Sequence, residues 1–199
     1  MKKTGIIIGI IVILLLGLYS WAKGFQNTAV QLEEGVTSQW ANVESAYQRR
    51  ADLIPNLVET VKGYASHEKE TLEAVVKARA AATQVKIDPS NITPEQLARF
   101  QQAQQGLSGA LSRLLLVVER YPELKADKHF LELQSQLEGT ENRINVERNR
   151  FNKAVQTYNT YIRQFPRSIL AGWFGFKPKA YFKADRGAEK APKVDFSKK

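Results

Sequence analysis

The side chains best suited to chemistry gather around Pro55: Arg49, Arg50, Asp52, Asn56, His67 and Glu68. A catalytic reading needs a base oriented by a partner and set against a nucleophile. On a helix His67 and Glu68, as sequence neighbours, point about 100° apart and do not orient each other. Glu70 and Thr71 lie on the face of His67, so a surface hydrogen bond is the expected role of that ring. A helical zinc motif places a second His four residues on, whereas the other His here is His129. The chain has no cysteine, which removes thiolate ligands, thiol nucleophiles and disulfides together and fits an oxidising compartment. No catalytic, metal-binding or cofactor-binding residue is expected, and no small-molecule substrate. The cluster reads instead as structural, with Asp52 capping a helix that follows Pro55 and the arginines pairing with Glu44 or with Glu141.

A second group of residues could act as an interaction surface. Trp173, Phe174 and Phe176 stand beside Lys177 and Lys179, with Ile169, Leu170 and Lys183 close by. Rings and amines together suit a lipid headgroup layer, and the same residues suit docking onto a groove of the fold or of a neighbouring subunit. Docking is the favoured expectation.

The elements that position these groups are helical. Leu32, Val36, Trp40, Val43 and Tyr47 lead to Ile54, and Leu57, Val61, Tyr64, Glu68, Leu72 and Val75 continue at steps of three and four. Pro55 makes this either one kinked helix or two helices meeting at a turn. Asp88-Pro89-Ser90-Asn91 reads as a turn, and Thr93-Pro94-Glu95-Gln96 as an N-cap, a first-turn proline and a capping-box Gln. A third helix carries Leu97, Phe100, Gln104, Leu107, Leu111, Leu114 and Val118, until Pro122 stops or turns it. A last one runs from about Asp127 to Pro166. The alternating steps predict an all-α fold, an elongated antiparallel bundle of three to four long, coiled-coil-like helices. Gln104 and Arg148 interrupt apolar seams, and the expectation is that their stems line the core while their heads reach its edge.

Ahead of the bundle, residues 5–22 carry no charge and are dominated by Ile, Leu and Val. As a helix they span about 27 Å, close to the hydrocarbon thickness of a bilayer. Lys2 and Lys3 precede the stretch and Lys23 follows it, which predicts a cytoplasmic N-terminus and an exported C-terminal domain. Ser20 and Ala22 leave open a cleaved signal peptide. Four segments follow from this reading: a short N-terminal segment, 1–4; a transmembrane anchor, 5–22; a helical bundle, 24–166; and an aromatic, basic tail, 167–199, flexible beyond Asp185.

Charge narrows the partners. The net charge of +9 is carried by the ends, because residues 24–166 hold 17 Lys and Arg against 17 Asp and Glu. A neutral body argues against duplex binding, so no nucleic acid is expected.

The run Tyr47-Gln48-Arg49-Arg50-Ala51-Asp52-Leu53-Ile54-Pro55-Asn56-Leu57-Val58, continued by Val61-Lys62-Gly63-Tyr64-Ala65 and His67-Glu68, resembles the signature of the LemA family. Ala78-Arg79-Ala80, the block from Leu114 to Pro122, the block from Leu137 to Ile144, Asn149, the block from Phe151 to Tyr161, Phe165-Pro166 and Phe174-Gly175-Phe176 extend the likeness from about Gln26 to the end. The resemblance implies an N-terminally anchored helical bundle of bacterial envelopes without established enzymatic activity, in some cases linked to membrane shaping. Some members carry a lipid-modified cysteine, which this chain lacks. The expectations are a single-pass protein of the bacterial inner membrane, a homo-oligomer acting as a scaffold, and, as the alternative, an adaptor for a membrane enzyme such as a protease.

Overall fold

The structure is a computed structural model that describes residues 2–183, with side chains from residue 4 onward; the expected flexible end beyond Asp185 lies outside them. Six helices make up the described fold: α1 Lys2–Tyr64, α2 Lys69–Gln84, α3 Pro94–Val118, α4 Pro122–Lys125, α5 Lys128–Arg163 and α6 Arg167–Phe174.

The 63 residues of α1 make a rod of about 95 Å at 1.5 Å per residue. Its first part is long and apolar enough to cross a membrane, and none of its most apolar window is buried by the rest of the fold. From Phe25 onward the same helix buries one stripe, with Ala29, Val36, Trp40, Val43, Tyr47, Ile54, Leu57 and Val61 inside. The apolar N-terminal stretch expected to be the anchor and the bundle therefore share one uninterrupted helix.

The question left open at Pro55 resolves as continuity. Proline has no N–H to give to the carbonyl four residues back, a loss that ordinarily kinks or breaks a helix. Here Arg79 Nε of α2 donates to Ala51 O at 2.7 Å, replacing the missing partner, and Pro55 itself faces outward. Asp52 consequently caps nothing. It sits inside the helix, exposed, accepting from Gln48 Nε2 at 2.7 Å.

The expected run from Leu57 through Val75 is broken instead between Tyr64 and Lys69. Ala65 N still reaches Val61 O at 2.8 Å, then the chain turns. The turn folds α2 back so that Leu72, Val75 and Ala82 join Leu57 and Val61 in one core; a straight continuation would leave them in water. Gly63 and Ser66 are weak helix formers near the break, and the three-and-four spacing runs on across it, which hides it from a periodicity argument.

The start of α3 is as expected. Thr93 Oγ1 accepts from Gln96 N at 3.2 Å, and Thr93 N donates to Gln96 Oε1 at 3.2 Å. Helix α3 ends at Val118, Pro122 opens α4, and Asp127 caps α5 by accepting from Phe130 N at 2.9 Å. Tyr64 Oη donates to Asp127 Oδ2 at 2.9 Å, joining the end of α1 to the start of α5. Arg50 then meets Glu141, and Phe25 meets Tyr161, so α5 runs antiparallel to α1 along its whole bundle portion.

Two cores result. One, next to the anchor, gathers Phe25, Trp40, Phe100, Phe151, Tyr158 and Phe182; the other, at the far end, gathers Ile54, Leu57, Val75, Leu107, Leu114 and Leu124.

Candidate functional site

The residues expected to cluster at Pro55 are spread along the rod. Residues 49 to 68 span about 28 Å of helix-length chain, and among Arg49, Arg50, Asp52, Pro55, Asn56, His67 and Glu68 only Arg50 is buried. Its Nη1 donates to Glu141 Oε1 at 2.6 Å and to Ser108 Oγ at 3.1 Å, while Nη2 donates to Gln104 Oε1 at 2.7 Å. Gln104 Nε2 in turn donates to Ala82 O at 3.2 Å. One guanidinium thus ties α1, α3 and α5, and through Gln104 the last turn of α2, at the level where the two cores meet.

The pairing of an arginine with Glu141 is as expected. The reading of Gln104 is corrected: its amide is buried and spent on Arg50 and Ala82, because the Arg50 charge inside the bundle needs an acceptor beside it. Arg148 fits the expectation better, with its guanidinium 5.1 Å from the Phe182 ring centre and Nη2 donating to Lys183 O at 3.0 Å.

Arg49 lines the other side, an open groove of about 490 Å³ bounded also by Asn42, Ser45, Gln136, Thr140 and Arg143. Asn56 faces outward, and its carbonyl accepts from Thr60 Oγ1 at 2.8 Å. His67 and Glu68 lie in the turn between α1 and α2, so the helical argument made for them does not apply. His67 is exposed. Glu68 Oε1 accepts from Arg120 Nη2 at 2.9 Å and from Tyr121 Oη at 3.2 Å. Among the described residues no three His, Cys, Asp or Glu side chains come together as a metal would require. Sequence reasoning missed Glu147, fully buried on α5 between Arg143 Nε at 2.6 Å and Arg150 Nη1 at 3.1 Å.

The tail is the more organised surface, and it divides in two. Helix α6 lies across the anchor end of the bundle, with Leu170 and Ala171 inward and Phe174 stacked on Phe25 at 6.2 Å. Gly175, at φ +80, turns the chain out of the helix in a conformation that side-chain-bearing residues resist. Residues 176–183 then run back over the bundle as an extended strap. Phe176 meets Phe25 edge-on, and Tyr158 Oη donates to Lys177 O at 3.1 Å. Lys179 is buried, its Nζ 2.9 Å from Glu33 Oε1 and donating to Ser90 O at 2.8 Å. Lys179 is therefore withdrawn from the expected interaction surface, since a neutralised, buried amine meets no outside partner.

Two asparagines hold the strap. Asn159 Oδ1 accepts from Lys179 N at 2.9 Å while Nδ2 donates to Lys179 O at 2.8 Å. Asn152 does the same to Phe182, at 2.9 and 3.1 Å. The register follows from geometry: seven residues of helix rise about 10.5 Å, and three residues of extended chain about 10 Å. Each side-chain amide thereby satisfies a backbone that has no strand beside it. Both asparagines lie inside the sequence block from Phe151 to Tyr161; their seven-residue spacing, next to the buried Phe151 and Tyr158, is the signal that could have marked them.

Comparison with known proteins matches this architecture to one family. The family model described as LemA family matches residues 39–196. Magnetosome protein MamQ 2 of Paramagnetospirillum magneticum is 30% identical over 173 residues, covering 78% of this chain and 64% of that protein. Magnetosome protein MamQ of Magnetospirillum gryphiswaldense is 28% identical over 173 residues with the same coverage. Protein LemA of Metamycoplasma hominis is 22% identical over 160 residues, covering 80% of this chain and 69% of that protein. The chain spans a little under two thirds of the length of the magnetosome relatives. With a helical bundle carried on an apolar N-terminal helix and a family match over most of its length, the chain belongs to the LemA family.

Proposed function

We propose that this protein is a non-enzymatic, single-pass protein of the bacterial inner membrane that self-associates into a scaffold organising or shaping that membrane. Its N-terminus is cytoplasmic and its bundle lies on the periplasmic or extracellular side, following the excess of lysine ahead of the anchor. The observation that carries the reading is α1 itself: the helix that would cross the bilayer is the helix around which the bundle packs. With no linker at the membrane surface, the rod's direction is coupled to the anchor, and lateral contacts between rods transmit to the bilayer. The ionisable groups that meet are occupied with one another, Arg50 with Glu141 and Glu68 with Arg120, which suits a structural part. The names of the magnetosome relatives support a role for this family in cell structures.

The test is the mass of the full-length protein in mild detergent, by light scattering. A large, defined oligomer is expected. A monomer that co-purifies with one membrane enzyme would replace the scaffold by an adaptor.

A further inference from the structure

We propose that α6 is a second membrane contact: its outer face lies in the headgroup layer of the bilayer that holds the anchor, and so sets the tilt and rotation of the rod. The inference rests on the reading of residues 5–22 as membrane-spanning and goes beyond it.

Three observations converge. The first is a stripe. Ile169 and Trp173, four residues apart on α6, share one face and are 50% and 79% exposed, and Phe165, in the turn that leads into the helix, is 82% exposed, while Leu170 and Ala171 of the same helix are buried. Isolated exposed apolar residues are ordinary, but a helix face carrying Ile169 and Trp173, with a bare Phe165 in the turn before it, calls for a partner. The second is position. Phe25, three residues past the apolar stretch, stacks on Tyr161 at 5.6 Å and on Phe174 at 6.2 Å. This pins α6 near the level at which α1 leaves the stretch, with the exposed Tyr19 and Trp21 one to two helical turns before Phe25. Aromatic rings are favoured at that level of a bilayer.

The third is charge. Residues 4–32 and 148–183, the described segments that build the anchor end, contain no Asp or Glu. Lys23, Arg163 and Lys177 are exposed around the stripe, and the Arg167 guanidinium lies 4.4 Å from the Tyr161 ring centre. An apolar face rimmed by cations, with the nearby Glu33 carboxylate already engaged by buried Lys179, matches a layer of lipid phosphates over acyl chains. A second copy of this chain would bring the same unneutralised cations against them, so the lipid surface is the better partner.

At eight residues α6 is too short to bind a membrane alone, and it does not need to. The anchor holds it at the surface, where a weak contact acts at high effective concentration. One pivot leaves a rod free to lean and turn; two points fix it.

The cysteine-free sequence permits single spin labels without background. The full-length protein, carrying Ile169→Cys, Ile11→Cys or His67→Cys, is reconstituted into vesicles of phosphatidylethanolamine and phosphatidylglycerol. Collision with dissolved oxygen is compared with collision with a water-soluble nickel chelate. The label at 11 should be oxygen-rich and that at 67, at the far end of the rod, nickel-rich. The label at 169 should show an oxygen-to-nickel ratio several-fold above that at 67. A ratio at 169 equal to that at 67, with 11 in lipid, overturns the inference and leaves the anchor standing. Shielding of 169 from both reagents overturns it in favour of a protein partner. A water-exposed label at 11 removes the anchor reading and this inference with it.

Discussion

The anchor end and the far end of the bundle solve the same packing problem with different materials. The far core is mostly aliphatic and closed by helices, Leu57, Val61, Val75, Leu107, Leu114 and Leu124 meeting at helical spacing, with the buried Phe130 as its one aromatic ring among the fully buried members. The near core is aromatic. Trp40 stands between Phe100 at 5.3 Å, Phe151 at 5.6 Å and Phe182 at 5.9 Å, and the last of these rings arrives on an extended strap rather than on a helix. Helices supply their own backbone hydrogen bonds, whereas a strap must be given them from outside, here by Asn152 and Asn159. A closed helical core stabilises itself; a core completed by a strap couples its packing to polar side chains elsewhere.

That contrast is tested most strongly at Trp40. Trp40→Ala should lower stability by about 3–5 kcal/mol, the usual cost of a large buried ring, measured by denaturant unfolding. It should also release the strap, read as faster hydrogen exchange at the Phe182 amide. Leu114→Ala, in the far core, should cost about 2–5 kcal/mol and leave the protection of Phe182 relative to global unfolding unchanged. Equal selective release of the strap by both substitutions would show a single cooperative core and end the comparison.

Next comes the junction. Arg50→Met keeps the stem but leaves Gln104 Oε1 and Ser108 without their donor, so a loss of about 2 kcal/mol is expected. The cost stays below that of a fully buried pair because the Glu141 side chain is 46% exposed. Arg50→Lys should rescue little, since one ammonium on a flexible stem does not reproduce the fork that reaches Glu141, Ser108 and Gln104 together. A double-mutant cycle with Glu141→Gln should show coupling between the two positions; simple additivity would mean that the ion pair contributes nothing at the junction.

The same contrast explains what could be read in advance. Apolar spacing marks the helices, Thr93 and Gln96 mark the start of α3, and of the two acids the sequence offers the arginines, Glu44 and Glu141, the structure gives Glu141 to Arg50 across 91 residues. Continuity through Pro55 was not legible, because it depends on Arg79 reaching Ala51 O from another helix. The turn after Tyr64 was not legible either, since the spacing of three and four passes through it unchanged. In the tail the residue types announced an interface but not its partition. Phe176 and Lys179 face the bundle, while Phe165, Ile169 and Trp173 face away, and nothing in composition distinguishes a lysine bound for Glu33 from one bound for water.

The strap clasps come third in size. Asn159→Ala removes two hydrogen bonds from buried backbone at Lys179, and a cost of about 1–3 kcal/mol is expected. Asn152→Ala, at a half-buried site, should cost less, because water can replace part of what is lost at Phe182. Hydrogen exchange at residues 179 and 182 should rise in each variant while the far core stays protected. A strap as protected as before would show that Phe182 packing alone holds it.

The smallest effect is a pH response confined to the near core. Burial, and secondarily the nearby Glu33 carboxylate, pushes the Tyr158 hydroxyl up to about 12 from its ordinary value near 10. The fold therefore favours the neutral phenol, which donates to Lys177 O. A raised value means that the contribution is complete below about 10, where both folded and unfolded forms are protonated. Above that the unfolded chain ionises first, and the contribution declines between about pH 10 and about pH 12. Lysines titrate in the same range, so the informative quantity is the difference between the wild type and Tyr158→Phe in the fall of the denaturation midpoint. The wild type should lose stability more steeply across that window, with the strap amides losing protection before Leu114. Parallel curves for the two proteins would mean that the phenol is as well solvated as in the unfolded chain, and would remove burial of Tyr158 as a cause of the near core's dependence on its strap.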